Sequence, residues 1–347
     1  MGQLKENKEL WDLYTLKHEK DNPKRDQYER PLAEFYNKDF SKAHVSKFLH
    51  DQGFRPSYPN EAKFAVCLTH DIDVLEIPKK DLYINAVKHL LKGRFPEFRS
   101  TIKNILNVRV NDFFHFDELM EIEKRYNGSA TYYFKSLKKG DQDFNYLVSS
   151  ISDIIQTIDK AGFEVSLHGG HEAYKDLKIL KWEKENLERT LGKETLGYRN
   201  HYLRFRIPET LEHLISVGIT SDSTIAYPDQ IGFRNGMCYP YQPYHLEKEE
   251  YMDILEVPLN IMECTLYKYM ALPKDQWMPK ASELIDHVAD LNGVFNFLWH
   301  NNDVVSKVEF YEEVIKYCYD KGAWITSVAE LEKWWRANYL VEMKKYL

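Results

Sequence analysis

Two aspartates follow the first apolar run of the chain. The run covers residues 64–69, and Asp71 and Asp73 come after it, one residue apart. Side chains alternate along a strand, so the two carboxylates would point to the same side of it. Neighbouring anions repel each other, and a bound divalent cation removes that cost. The pair is therefore a candidate metal site.

Two histidines follow another such run. His168 and His171 come after residues 163–167 and are separated by two glycines, which suit a tight turn that aims both imidazoles at one ion. One carboxylate with two histidines leaves a position open for water, which is typical of a catalytic rather than a structural zinc site. We therefore predict a divalent metal ion, with Zn²⁺ preferred, at this end of the strands.

Polar residues also follow three later runs, namely Arg199, Asp222 and His300. An arginine beside an aspartate keeps that carboxylate ionised and fixes its direction. A histidine opposite a metal can protonate a leaving group, because its ordinary pKa of about 6.5 lies near neutrality. Each residue alone would suggest a structural or surface role, and it is their position at successive strand ends that favours a site.

The segment 227–244 combines five aromatic side chains with arginine, asparagine and glutamine. Aromatic faces stack on the C–H groups of a sugar ring, while amides and a guanidinium bind its hydroxyls. The alternative interpretation is an ordered rim loop held by proline and aromatic packing. The candidate substrate-binding residues are Asp222, Arg234, Tyr239 and Trp299.

The elements that must position these residues alternate between strands and helices. Between the apolar runs lie helical patterns, several of which end on glycine. Alternation of this kind predicts an α/β fold with a parallel sheet, and seven or eight units in a row favour a closed barrel, whose carboxyl-end rim gathers catalytic groups. The predicted strands are 64–69, 129–134, 163–167, 195–198, 218–221, 254–258, 294–299 and 323–326.

Two parts stand outside this alternation. Residues 1–60 are predicted to form a helical N-terminal extension on a barrel domain of residues 61–347. The long insertion 74–128 is locally basic, which would suit an acidic ligand or a membrane surface, or simply a solvated helical hairpin. Its basic residues are Lys79, Lys80, Lys88, Lys92, Arg94, Arg99, Lys103 and Arg109.

Composition excludes several classes of protein. The 347 residues carry a net charge of 47 − 54 = −7, so no basic excess exists to bind nucleic acid. Four scattered cysteines without a CxxC pair argue against a disulfide scaffold or a cysteine zinc site. No stretch approaches the roughly 20 apolar residues of a membrane span, and the N-terminus lacks an apolar signal core, so we expect a cytoplasmic protein without stable membrane insertion.

The motifs THDID, SLHGGHEAY, GYRNHYLRF, SDSTIAYPDQIGFRNG and FLWHNN occur in an order that resembles the NodB-homology polysaccharide deacetylases, carbohydrate esterase family four. The resemblance implies a distorted (β/α)7 barrel that removes N- or O-acetyl groups from sugars with a divalent metal, usually zinc. By the same resemblance, Asp71 corresponds to the catalytic base and Asp73 to the metal-binding aspartate. His168 and His171 would bind the metal, Arg199 matches the arginine of the third motif, and His300 would be the general acid.

The chain departs from the family pattern at three places. Ile72 separates two aspartates that are usually adjacent, and Arg199 is followed by asparagine and histidine instead of an Arg-x-Pro sequence. The metal histidines of the family are spaced by four, whereas position 172 here is glutamate. The third metal ligand is therefore either His171 or Glu172.

These observations predict a metal-dependent deacetylase of an acetylated sugar or glycan. One alternative is a non-catalytic carbohydrate-binding protein on a degenerate esterase barrel. Another is a nucleotide-sugar glycosyltransferase that uses Asp71 and Asp73 as a metal–diphosphate clamp, although no glycine-rich nucleotide fingerprint opens the chain.

Overall fold

The computed structural model describes most of the chain. The described ranges are 3–75, 79–95, 98–99, 101–102, 115–301 and 304–347. Of the basic residues predicted in the insertion, Lys103 and Arg109 lie outside the described residues, as do the side chains of Lys79 and Lys80.

Strands occur where the apolar runs predict them. The longest, β1, is buried at every position, as expected for a parallel strand covered on both faces. The strands are β1 (Phe64–Ile72), β2 (Thr131–Lys135), β3 (Glu164–Gly169), β4 (Gly197–Asn200), β5 (Ser221–Asp222), β6 (Tyr244–His245), β7 (Glu250–Tyr251), β8 (Leu255–Glu256), β9 (Ile261–Met262), β10 (Val294–His300) and β11 (Ala323–Thr326).

The main sheet is parallel and curls into a barrel. Its order is β8-β5-β4-β3-β2-β1-β10-β9, and β11 pairs with the first half of β1. One continuous segment, 255–262, carries both β8 and β9. At its start the Val257 amide donates to the Asp222 carbonyl (2.8 Å), and near its end the Asn260 amide donates to the Asn296 carbonyl (3.1 Å). The segment therefore bridges β5 and β10. Together with β1 to β5 and β10 it makes a ring of seven parallel staves around the core. The predicted distorted (β/α)7-type barrel is confirmed.

Helices pack around this ring and extend it at the N-terminus. Glycine ends the long helix 177–191 as predicted, with Gly192 at φ +83°, a conformation that favours glycine. The helices are α1 (Gln3–Glu6), α2 (Lys8–Tyr14), α3 (Lys17–Asp21), α4 (His44–Asp51), α5 (Lys79–Leu91), α6 (Phe116–Arg125), α7 (Ser152–Lys160), α8 (Leu177–Leu191), α9 (Glu209–Ser216), α10 (Trp277–Asp290), α11 (Val304–Asp320), α12 (Val328–Asn338) and α13 (Leu340–Met343).

The N-terminal helices pack on the aromatic segment 227–244. The Phe233 amide donates to the Phe40 carbonyl (2.8 Å), and the Tyr14 hydroxyl donates to the Gln242 carbonyl (2.6 Å). Gly232 has φ +134°, and a Cβ there would lie 2.1 Å from the Phe40 oxygen. The segment is therefore an ordered, buried support of the N-terminal residues.

The part of the chain that the structure describes contains no helix that is both long and apolar enough to cross a bilayer.

Candidate active site

Three side chains converge at the carboxyl edge of the barrel. Asp73 follows β1, His168 is the penultimate residue of β3, and His201 begins the short 3₁₀ turn after β4. The Asp73 Oδ1 lies 3.3 Å from His168 Nε2 and 3.2 Å from His201 Nδ1, and the two histidine nitrogens are 3.3 Å apart. One ligand atom from each residue lies within 4.8 Å of the others.

The cluster is prepared to bind a cation. His168 Nδ1 lies 3.0 Å from the Arg199 carbonyl oxygen, so this nitrogen carries the hydrogen and Nε2 keeps its lone pair toward Asp73. The Asp73 Oδ1 is buried and has no hydrogen-bond partner in the described structure. Two imidazoles and one carboxylate are the donors of a catalytic zinc site with an open position, so these residues fit such an ion.

Charge around Asp73 keeps its carboxylate ionised. Burial alone would raise the pKa of Asp73, but the nearby charges of His201 and Lys135 hold it well below its usual range. Lys135 ends β2, and its Nζ lies 3.6 Å from Asp73 Oδ1. The same Nζ donates to the Asp143 carbonyl at 3.1 Å.

Asp71 is held beside the cluster by Arg199, as the sequence predicts for an arginine next to an aspartate. The Arg199 NH1 donates to Asp71 Oδ1 (3.1 Å) and to Thr69 Oγ1 (2.9 Å). Its Nε and NH2 bind the carbonyl and hydroxyl of Ser223, both at 2.8 Å. The guanidinium is fully buried and lies over the Tyr133 ring. Asp71 Oδ2 in turn is 3.6 Å from His168 Nε2, which leaves it free to face the cluster.

His300 ends β10 on the opposite side of Asp73, with 3.8 Å between its Nε2 and Asp73 Oδ2. Its Nδ1 lies 2.6 Å from Glu263 Oε1. Burial would lower the pKa of His300, but the Glu263 carboxylate, followed by Asp73 and Asp71, raises it to about 10. His300 is therefore protonated at neutral pH, which is the state that a proton donor requires.

The structure does not bring His171 or Glu172 into the cluster. His171 Nδ1 lies 2.8 Å from Glu172 Oε1, and Arg204 contacts both residues, with 3.1 Å from its NH1 to Glu172. Arg204 also stacks on Tyr174. β3 continues to Gly169, a turn of residues 171–175 follows, and the third cluster position is taken by His201.

None of the four predicted substrate-binding residues lines the cavity that opens over the Asp73–His168–His201 cluster. Asp222 is buried, bonds the Thr224 hydroxyl at 2.6 Å and pairs with the buried Glu256. Arg234 forms an ion pair with Glu19. Tyr239 is buried and donates its hydroxyl to the Leu291 carbonyl at 2.6 Å, and Trp299 is buried against Tyr311. Their side chains support the fold because the N-terminal helices and the outer helices cover them.

A cavity of about 420 Å³ opens over the cluster. Aromatic side chains and both charge signs form its wall, a combination that suits a polar ligand with apolar faces. Its lining includes Arg30, Asp71, Asp73, Val74, Lys135, Asp143, Phe144, Asn145, His201, Tyr202, Tyr267, Lys268, Tyr269 and His300.

Sequence reasoning missed several of these residues. His201 belongs to the same motif, GYRNHYLRF, as Arg199. Its position directly after β4 could have marked it as a rim residue. Glu263 likewise follows β9, a strand of only two residues. Arg30 comes from the N-terminal extension, and no local pattern connects it to the rim.

The fold is a curled parallel α/β barrel, and it carries a candidate Asp–His–His centre at its carboxyl edge. The chain is similar to a Mycobacterium smegmatis protein assigned as a polysaccharide deacetylase, with a TM-score of 0.54 and 16% identity over 82% of this chain and 94% of that one. The resemblance seen in the motifs is thereby confirmed at the level of the fold.

Two further solved structures match at lower TM-scores. A family 4 carbohydrate esterase from Streptomyces lividans, in complex with acetate, has a TM-score of 0.40 and 10% identity over 76% of this chain and 92% of that one. A CE4 family pseudoenzyme from Bacillus anthracis has a TM-score of 0.40 and 12% identity over 92% of this chain and 80% of that one. No family model and no curated protein sequence matches the chain.

Proposed function

We propose that this protein is a metal-dependent deacetylase that removes acetyl groups from a sugar or glycan. The observation that supports this most strongly is the meeting of Asp73, His168 and His201 within 4.8 Å, with Asp71 and His300 on either side. The flanking carboxylate and imidazole are the types of group that serve as base and acid in a deacetylation.

Asp73, His168 and His201 would hold the ion, with zinc the best match to the donors. When bound, the ion supplies Lewis acidity and lowers the pKa of a bound water to about 7. Asp71 accepts the proton of the water that attacks the acetyl carbonyl, and Arg199, whose NH1 donates to Asp71 Oδ1, holds the carboxylate beside the cluster.

His300 then gives its proton to the departing amine or hydroxyl oxygen of the sugar. Glu263, hydrogen-bonded to the Nδ1 of His300, fixes the ring so that Nε2 points toward Asp73 and the cavity. Tyr202, Tyr267 and Tyr269 offer aromatic faces to a sugar ring at the cavity wall.

An acetate-release assay over acetylated amino sugars and O-acetylated glycans tests the proposal. Asp71→Asn and His300→Ala should each lower turnover about 10²–10⁴-fold with zinc still bound. Asp153→Asn, an exposed carboxylate on the outer helix α7, serves as the matched control and should keep full activity. Full activity of either active-site variant would overturn the assigned roles.

Acetate release, sugar binding and thermal stabilisation together separate the alternatives. A binding protein on a degenerate barrel would bind sugar without releasing acetate. A glycosyltransferase would be stabilised by a nucleotide diphosphate sugar with manganese and not by zinc, and it would leave His168, His201 and His300 without a role.

A further inference from the structure

The insertion after β1 exposes a concentrated apolar surface. Within residues 83–95, the one buried side chain is Ala86, and His89 is half-buried. Six of the eleven large apolar side chains exposed by the described residues lie in this stretch, and Leu91 is 81% exposed. The six are Tyr83, Ile84, Val87, Leu90, Leu91 and Phe95. Single exposed apolar residues are ordinary, but a patch of this density marks an interaction surface.

The apolar residues share one face of α5. At about 100° per residue, positions 83, 84, 87, 90 and 91 fall within an arc of roughly 120°. Lys88 borders that arc on one side and the buried Ala86 borders it on the other, while Lys92 directly follows the end of the helix. The helix therefore presents an apolar stripe with a cationic margin to solvent.

The charge of the stretch is opposite to that of the whole chain. Residues 83–95 include Lys88, Lys92 and Arg94 and no aspartate or glutamate, whereas the complete chain carries −7. Exposed Arg99 adds a further cation shortly beyond. A helix with an apolar face and a lysine at its margin, followed by further cations and an aromatic residue, has the composition of an interfacial membrane segment. The cations complement anionic headgroups and the stripe complements the acyl boundary.

We propose that α5 and the residues up to Phe95 form a reversible docking surface for an anionic lipid membrane. The occupant is a bilayer surface because the patch is a convex helix with side chains that project outward, and such a shape enters a lipid interface more readily than it fills a protein groove. Val74 lines the active-site cavity and α5 begins at Lys79, five residues later, so the helix start lies at most about 18 Å from the cavity wall. Docking would place the cavity close to the membrane.

Co-sedimentation of the full chain with vesicles tests this surface without any reference to catalysis. The protein should pellet with vesicles of phosphatidylcholine mixed with an equal amount of phosphatidylglycerol, and not with phosphatidylcholine alone. Added salt should weaken the binding, because Lys88 and Lys92 contribute through charge. Lys88→Gln and Lys92→Gln should each reduce partitioning about fivefold.

The double variant Val87→Glu with Leu91→Glu should abolish binding to the vesicles, since the loss of each apolar contact alone lowers the affinity roughly tenfold. Leu196→Glu with Val341→Glu, two exposed apolar residues on other elements, is the matched control and should bind like the wild type. Circular dichroism would verify that both double variants are folded.

Three outcomes would overturn the proposal: no pelleting with the anionic vesicles at low salt, equal binding to both vesicle types, or equal loss in the control variant. Self-association abolished by Val87→Glu and Leu91→Glu, without vesicle binding by the wild type, would assign the patch to a second copy of the chain instead.

Discussion

Arg234 was predicted to bind substrate, and the structure instead gives it a buried ion pair that can be tested by substitution. Its Nε donates to Glu19 Oε1 (2.9 Å) and its NH2 to Glu19 Oε2 (2.7 Å). The Tyr227 hydroxyl donates to the same carboxylate at 2.8 Å. The pair ties α3 to the aromatic segment 227–244, so Arg234→Met should loosen the N-terminal extension from the barrel.

The expected loss of folding stability in Arg234→Met follows from the burial of both partners, since the side chains of Arg234 and Glu19 are 3% and 6% exposed. Removing one member of a buried pair leaves an uncompensated charge and costs about 3–5 kcal/mol. With an unfolding entropy of about 2.1 cal/mol/K per residue over 347 residues, this corresponds to a Tm that is lower by roughly 4–7 °C.

Differential scanning calorimetry of Arg234→Met, Glu19→Gln and the double variant measures this cost. The double variant should be more stable than Arg234→Met, because it leaves no buried charge alone, while Tyr227 keeps an acceptor on the glutamine. Acetate release per folded molecule should match the wild type in all three proteins. An unchanged Tm with lost activity or sugar binding in Arg234→Met would refute this reasoning and return Arg234 to the substrate.

Two further predictions concern charges near the barrel rim. Lys135→Met should raise zinc affinity at least about tenfold in calorimetric titration, because it removes a cation whose Nζ lies 3.6 Å from Asp73 Oδ1. The control Lys138→Met, at an exposed position, should leave the zinc affinity unchanged. A loss of affinity in Lys135→Met would contradict repulsion between Lys135 and the ion. Glu183 is buried and accepts the Gly170 amide, and burial raises the pKa of its carboxyl to about 8. Its protonated form is favoured in the folded state, so the stability that it contributes is complete below about pH 4.5 and lost as pH rises to 8. Near pH 9, Glu183→Gln should therefore be more stable than the wild type by up to about 5 kcal/mol, and at pH 4.5 the two proteins should be almost equally stable. A stability difference that does not change with pH would refute this prediction.

The barrel was predictable because its strands are nearly continuous apolar runs. Strands that are buried on both faces are mostly apolar, so polar residues concentrated near their carboxyl ends mark the rim in the sequence, as Asp71, Asp73, His168 and His300 do. The register that closes the ring was not visible, since segment 255–262 bonds β5 and β10 through only a few residues at each end.

The third cluster position could not be read from local spacing. His168 and His171 are close in sequence, but His171 lies beyond the end of β3 in contact with Arg204, whereas His201 follows the neighbouring strand β4. Spacing along one turn says little about ligands contributed by another strand. Of the two interpretations of the aromatic segment 227–244, the structure favours the ordered, packed loop, and the sequence could not decide between them because the N-terminal helices that bury the segment lie about 200 residues away in the chain.

Zinc titration of the wild type, His201→Ala and His171→Ala tests the central claim most directly. The wild type should bind one zinc per chain, and His171→Ala should bind it with equal affinity. His201→Ala should lose more than the roughly 10–100-fold that removal of an outer partner costs. Zinc retained by His201→Ala and lost by His171→Ala, or no zinc bound by the wild type, would contradict the account.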